Sequence, residues 1–354
     1  MRTEDVLLRV LFIIAAVAAL CFGLASHWGP QETKPFTVAV IPDTQYYCST
    51  GPAAPAEDTG TPEMYYDLTQ WLHDQADSQD IRFAIHLGDL IQNPGEQGEW
   101  EIADVAQRTL EWSIPYSVLP GNHDIDEKTG DSTYYDQYFG PERFADQDFY
   151  GGHEGDKNHN NYCFFKAGGM DFMVLNIEHN PSDKTLAWAA EILKKHINHR
   201  VILATHSYLG NEERNAEGER IWNGLVKRSH NIFMVLSGHV PGWNHRISAN
   251  NDGNPVIEIL TDYQWEPDGR SSEQYAGDGW LNLMVFEPNE DKIHFKSYSP
   301  YLKKWWKDDP EHEYTLDYQM ASKPTILPFL VAILFVVCAW KIRWPKPKKE
   351  NLAL

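Results

Sequence analysis

Five short segments of the 354-residue sequence place acid, amide or imidazole side chains directly after an apolar run. Pro42-Asp43-Thr44-Gln45 follows FTVAVI, and Gly88-Asp89 follows IRFAIHL. Gly121-Asn122-His123-Asp124 follows YSVLP, Thr205-His206-Ser207 follows VILA, and Gly238-His239 follows IFMVLS. Carboxylate, amide and imidazole donors without thiolates are ligands for hard or borderline cations such as Mn, Fe or Zn. Several of them in one crevice would repel or stay unsatisfied. Two divalent ions bridged by one carboxylate resolve that. Taken singly each segment is weak: Asp43 alone reads as a helix cap, Gly88-Asp89 as a turn, His206 as a core histidine. The signal is the set.

The runs that must position these residues alternate with helical segments. Strands are expected at 36–41, 81–87, 116–119, 162–166, 171–177, 201–204 and 232–236, with 162–177 forming a hairpin at Gly168-Gly169. Helices are expected at 62–76, 99–112, 186–196 and 219–228. Three further strands, at 256–260, 281–286 and 292–298, follow without helices between them. Segments 46–62 and 151–161 read as polar loops. Alternation followed by a strand-rich end predicts an α/β fold with a mixed sheet or two stacked sheets. In such sheets ligands bind at the carboxyl ends of the strands, so residues spread from Asp43 to His239 are expected to converge. Glycine before Asp89, Asn122 and His239 lets the chain turn sharply there.

Composition narrows the partners. With 51 acidic and 30 basic residues the net charge is -21, which excludes wrapping nucleic acid. An anionic substrate then needs a metal or a local positive site. Four cysteines exclude a disulfide scaffold. Cys21 and Cys338 sit in apolar end segments, which leaves Cys48 and Cys163 as a candidate pair in the body. The uncharged run from Val10 to Ala25 marks residues 1–26 as a signal peptide or membrane anchor. A second run, Ile326–Trp340, is followed by Lys341, Arg343, Lys346, Lys348 and Lys349. It reads as a transmembrane helix over 324–343 with a basic cytoplasmic tail at 344–354, which puts the body, 27–323, outside the cytoplasm.

The motifs in this order resemble those of the calcineurin-like metallophosphoesterase superfamily, and the Pro-Asp-Thr-Gln opening resembles an exported branch of it. The resemblance covers most of the body, including NNYCFFKAGGMDFMVLNIEHNP (160–181), ATHSYL (204–209), LTDYQ (260–264) and KSYSP (296–300). It implies an αββα sandwich, two mixed β-sheets flanked by helices, with two divalent metal ions (Mn, Fe or Zn) at the sheet ends. Asp89 would bridge them, Asn122, His206 and His239 would complete the second site, and Asp43 would belong to the first. His123, held by Asp124, would protonate the leaving oxygen while a metal-activated hydroxide attacks phosphorus. Two positions depart from the family pattern: Gln45 and Pro241 stand where imidazoles are expected. The Gln45 carbonyl is a weaker ligand, and His245 is a nearby imidazole that could replace the one missing at Pro241.

The expected function is metal-dependent hydrolysis of phosphate mono- or diesters by a membrane-anchored domain. The substrate would be a phosphorylated small molecule, a lipid head group or a cell-surface phosphoester. The alternative, suggested by Gln45 and Pro241, is a phosphoryl-ligand-binding or structural membrane module. A purple-acid-type centre needs a tyrosine shortly after Gly-Asp, where this chain has Leu90-Ile91-Gln92. Tyr263 reads as core, and Glu178-His179 as either a turn or support for the site.

Overall fold

Val38 and Val40 point to one side of their strand, Ala39 and Ile41 to the other, and all four are buried. A strand covered on both faces shows an unbroken apolar run instead of alternation. The computed structural model describes residues 34–49, 60–111, 113–264 and 277–320. In chain order the elements begin with β1 (Phe36–Ile41), α1 (Gln45–Cys48), α2 (Pro62–Gln75), β2 (Ile81–His86), α3 (Gln97–Leu110) and β3 (Tyr116–Ser117). Next come α4 (Thr133–Phe139), α5 (Pro141–Phe144), β4 (Tyr150–His153), β5 (Asn161–Ala167), β6 (Met170–Ile177), α6 (Asp183–Lys195) and β7 (Arg200–Thr205). The chain continues with α7 (Ala216–Gly224), β8 (Ile232–Ser237), β9 (Gly242–Ala249) and β10 (Pro255–Asp262). It closes with β11 (Leu281–Glu287), β12 (Lys292–Ser299), β13 (Lys304–Trp306) and β14 (Glu313–Asp317).

One seven-stranded sheet has the order β13-β12-β11-β1-β2-β3, with β14 also on β12; the other runs β4-β5-β6-β7-β8-β10-β9. Both are mixed: β1, β2 and β3 are parallel, as are β6, β7, β8 and β10, and the outer strands pair antiparallel. Val38, Phe83, Phe172, Ile202 and Phe286 interdigitate between the sheets. Helices α2 to α4 cover the outer face of the first sheet, through Leu68, Trp100 and Phe139. Helices α6 and α7 cover that of the second, through Ala189 and Ile221. The result is the αββα sandwich. The starts of α6 and α7 are set by caps: Ser182 Oγ accepts from the Thr185 N–H (3.1 Å) and Asn215 Oδ1 from the Gly218 N–H (2.8 Å).

Several local expectations change. The first residues of the polar loop at 46–62, Tyr46–Cys48, belong instead to α1. The start of the polar loop at 151–161 is instead part of β4, which pairs with β5 although it reads YGGH. Strand β9 has no apolar run because it is an edge strand whose side chains alternate between half-buried and exposed. The helix expected at 219–228 starts at Ala216 and stops at Gly224, and a 3-10 turn covers Val226–Arg228. Cys48 and Cys163 do not pair. Both are free and buried, Cys163 between the sheets and Cys48 under the helices of the first sheet, where its thiol donates to the Leu90 carbonyl. The segments 1–26, 324–343 and 344–354 lie outside the described residues. Among the described residues no helix is long and apolar enough to cross a membrane.

Candidate metal centre

Because β1 and β2 are parallel in one sheet, and β7 and β8 in the other, their carboxyl ends open on one edge of the sandwich. Backbone bonds lock the loops together there: Thr44 N–H to the Asp89 carbonyl (3.0 Å), and Gly238 N–H to the His206 carbonyl (3.0 Å). Asp89 and His239 take left-handed backbone conformations, with φ of 50° and 69°. Both are uncommon outside glycine and concentrate at functional sites.

His206 is the centre of the cluster. Its Nδ1 lies 3.0 Å from the Leu87 carbonyl. A carbonyl only accepts, so Nδ1 carries the proton and Nε2 is left as the ligand atom. That Nε2 faces Asn122 Oδ1 (3.0 Å), His239 Nδ1 (3.1 Å) and Asp89 Oδ2 (3.3 Å). A ring nitrogen fixed by a backbone carbonyl on its far side is how a metal-binding imidazole is oriented. Ligand atoms of Asp89, His206 and His239 all lie within 4.8 Å of one another. Without a cation the cluster must hold protons instead. Burial alone would lower His206, but the charges of Asp89 and Asp43 outweigh it and push it up to about 10. Burial, then the positive His206, pushes His239 down to about 4. Burial opposes ionisation of Asp89, yet the His206 charge and hydrogen bond hold its carboxyl below the usual value. The donor set therefore fits a divalent cation.

Asp43 and Gln45 lie beside this cluster. Asp43 Oδ2 accepts from the His239 N–H (3.1 Å), while its Oδ1 and the Oε1 of Gln45 are buried with no hydrogen-bond partner. Burial, then the neighbouring Asp262 carboxylate, holds Asp43 well above the usual carboxylate range. His245 does not turn back to replace the imidazole missing at Pro241. It lies on β9 with its ring stacked on Tyr314, centroids 4.3 Å apart.

His123 reaches the cluster through its backbone, whose N–H donates to Asp89 Oδ1 (2.9 Å). Its ring Nδ1 lies 2.9 Å from the Gln92 carbonyl, which fixes the proton there and leaves Nε2 as the working atom. The partner expected for His123, Asp124, is spent elsewhere. Its carboxyl accepts from the N–H groups of Gly121 (2.8 Å), Leu90 (2.8 Å) and Ile91 (3.2 Å). It thus ties the Asn122 loop to the Asp89 loop and positions ligands rather than the acid. Burial, then the Asp89 charge, raises it to about 8.

Two residues join the centre that the strand-end pattern did not single out as ligands. His179, just past β6, packs its ring 5.6 Å from that of His206 and 5.4 Å from that of His239. Asp262, the last residue of β10, is fully buried near Asp43. Both end apolar strands, which was the available signal. Tyr263 packs in the core with its hydroxyl 2.7 Å from Ser297 Oγ.

The family model described as Calcineurin-like phosphoesterase matches residues 36–242, more than half of the chain. The chain belongs to this family of phosphoric ester hydrolases, whose members typically hold two divalent metal ions. It is 33% identical over 284 residues to the uncharacterized protein YvnB of Bacillus subtilis (strain 168), a match that covers 77% of this chain and 20% of YvnB. The chain therefore spans about a fifth of that relative's length. Among solved structures it shares its fold with the purple acid phosphatase PPD1 of yellow lupin (Lupinus luteus) seeds. That likeness has a TM-score of 0.53 at 12% identity, over 82% of this chain and 55% of the phosphatase.

Proposed function

We propose that this family member hydrolyses phosphate mono- or diesters with two divalent cations, in a domain anchored to a membrane and facing out of the cytoplasm. The observation that carries the reading is the acceptor cluster around His206 Nε2, with His123 bonded to its central carboxylate. Asp89, Asn122, His206 and His239 would hold one ion; Asp43, Gln45 and the shared Asp89 would hold the other. Bound there, divalent cations supply an activated water and offset charge developing on the phosphoryl oxygens. His123 does the proton work: with Nδ1–H given to the Gln92 carbonyl, a protonated Nε2 donates to the leaving oxygen. Asp124 holds the two ligand loops in register through three backbone N–H groups.

A chain of net charge -21 needs a metal or a local positive site to draw an anionic ester, and these cations would supply it. The substrate is then a phosphorylated small molecule, a lipid head group or a cell-surface phosphoester. The outward orientation is supported by the run Ile326–Trp340 and the cations that follow it. A reporter fused after Leu354 should work only in the cytoplasm, and the reverse would overturn the orientation. Pro241, in place of a ligand, favours a second reading as a phosphoryl-ligand-binding module. Aryl phosphate mono- and diesters, offered to the chelator-stripped chain and to chain reloaded with Mn, Fe or Zn, separate the two. Hydrolysis restored by metal supports the enzyme; no turnover under any loading leaves the binding module.

A further inference from the structure

The first metal position keeps only Asp43, Gln45 and the shared Asp89 of the expected ligands, since Pro241 cannot bind and His245 is stacked on Tyr314. The fold nevertheless brings a further carboxylate there. Strand β10 runs parallel to β8 with Leu260 opposite Ser237, so its last residue, Asp262, comes level with the Gly238-His239 turn. That turn packs directly on Asp43. A Cβ built on Gly238 would lie 2.1 Å from Asp43 Oδ1, and the His239 N–H donates to Asp43 Oδ2. Asp262 is fully buried, its Oδ1 accepts from the Gln264 N–H (3.0 Å), and its Oδ2 has no partner. Asp43 Oδ1 and Gln45 Oε1, each 3% exposed as residues, are in the same state. Three buried, unpartnered oxygens, one just past β1, one at the start of α1 and one at the end of β10, are costly unless something positive sits among them.

Resting on the metal-dependent reading above, we propose that Asp262 replaces the missing imidazole and completes the first metal position as an all-oxygen site. Its donors are Asp43, Gln45, Asp262 and the shared Asp89. Such a set suits a hard cation such as Mn2+, whereas the second position offers two imidazoles and suits Zn or Fe. The two positions thus differ in kind. Asp262 lies past the end of the family match at residue 242.

The test is Asp262→Asn in the full chain, stripped with chelator and titrated with Mn2+ by calorimetry, with bound metal counted by elemental analysis. Asparagine keeps an Oδ1 for the Gln264 N–H and removes the charge. The wild type should take up two ions. The variant should keep one and bind the other about 100-fold more weakly or worse, beyond the usual cost of disturbing an outer-shell partner. Thermal unfolding of the metal-free proteins separates ligand from scaffold. Removing one of two neighbouring buried carboxyls should leave the metal-free variant at least as stable as the wild type, while the stabilisation gained from Mn2+ shrinks. Two ions held with wild-type affinity, or a metal-free variant that melts well below the wild type, would overturn the role of Asp262. A wild type that binds no ion would instead sink the metal-dependent reading itself.

Discussion

Gly121→Ala tests the geometry of the whole centre from outside its ligand set. A Cβ built on Gly121 would lie 2.1 Å from Asp89 Oδ1, 2.5 Å from the Asp89 backbone nitrogen and 2.8 Å from its Cγ. Real Cβ atoms essentially never come nearer than 3.0 Å, so the carboxylate oxygen must retreat by about 0.9 Å and the nitrogen by about 0.5 Å. A rotamer change relieves the first contact but not the second, which is backbone. Asp89 cannot yield easily, because its φ of 50° and its bond from the His123 N–H hold it in place. Metal ligation tolerates errors of about 0.2 Å, several times less than the required shift. As Asp89 would serve both ions, both should be lost, at a stability cost of about 1–3 kcal/mol for the overpacking. Elemental analysis after gel filtration and a melting curve read the two effects. Gly238→Ala is the control: the three atoms nearest its Cβ all belong to the Asp43 carboxyl, Oδ1 at 2.1 Å and Cγ at 3.2 Å among them, and it should empty the first position alone. Two ions retained by Gly121→Ala at wild-type affinity would show that Asp89 is not the shared ligand.

His123→Ala should lower turnover about 10²–10⁴-fold with metal content unchanged, and a substrate with a very good leaving group should lose less; metal lost along with activity would make His123 a ligand. In chelator-treated protein, Asp124 at about 8 and Asp262 at about 7 lie above the ordinary 3.8, and His206 at about 10 above 6.5. These groups bind protons more tightly folded than unfolded, so the stability they contribute is complete below the unfolded value and is lost as pH rises toward the folded one. His86 at about 3, and His179 and His239 at about 4, are depressed and act in the opposite sense, but only below 6.5. Between pH 6.5 and 8 the metal-free chain should therefore lose stability, at about 1.4 kcal/mol per pH unit for each proton involved, and saturating Mn2+ should reduce the slope to the part carried by the buried Asp124; a flat metal-free profile would refute this. Away from the site, Arg214 makes a double ion pair with the fully buried Glu258 (2.5 and 2.8 Å) and stacks its guanidinium 3.9 Å from the Trp222 ring. Arg214→Ala should cost up to about 3–5 kcal/mol in urea unfolding by leaving that charge with only the longer Arg246 contact (3.8 Å), and Glu258→Leu in the same chain should recover part of it.

Much of the architecture was legible because it is written in local pattern. The runs FTVAVI, VILA and IFMVLS are apolar without alternation because β1, β7 and β8 are covered on both faces, and that marks them in any reading. The polar residues that follow them stand out against such runs, so Asp43, Asp89, Asn122, His206 and His239 were visible as a set. Strand β9 was not, since an edge strand with one polar face carries no apolar run. Neither was the partner of His123: the Gln92 carbonyl is backbone, the same in every residue type, and only the fold brings it to the ring. His245 and Asp262 show the same limit with side chains. By sequence His245 is four residues from Pro241 and Asp262 is twenty-one; yet β9 carries His245 onto Tyr314, while parallel pairing of β10 with β8 carries Asp262 to Asp43. Residue type and strand-end position, which the sequence holds, decide what chemistry is on offer. Strand register, set by burial of whole faces over long separations, decides which of those residues meet.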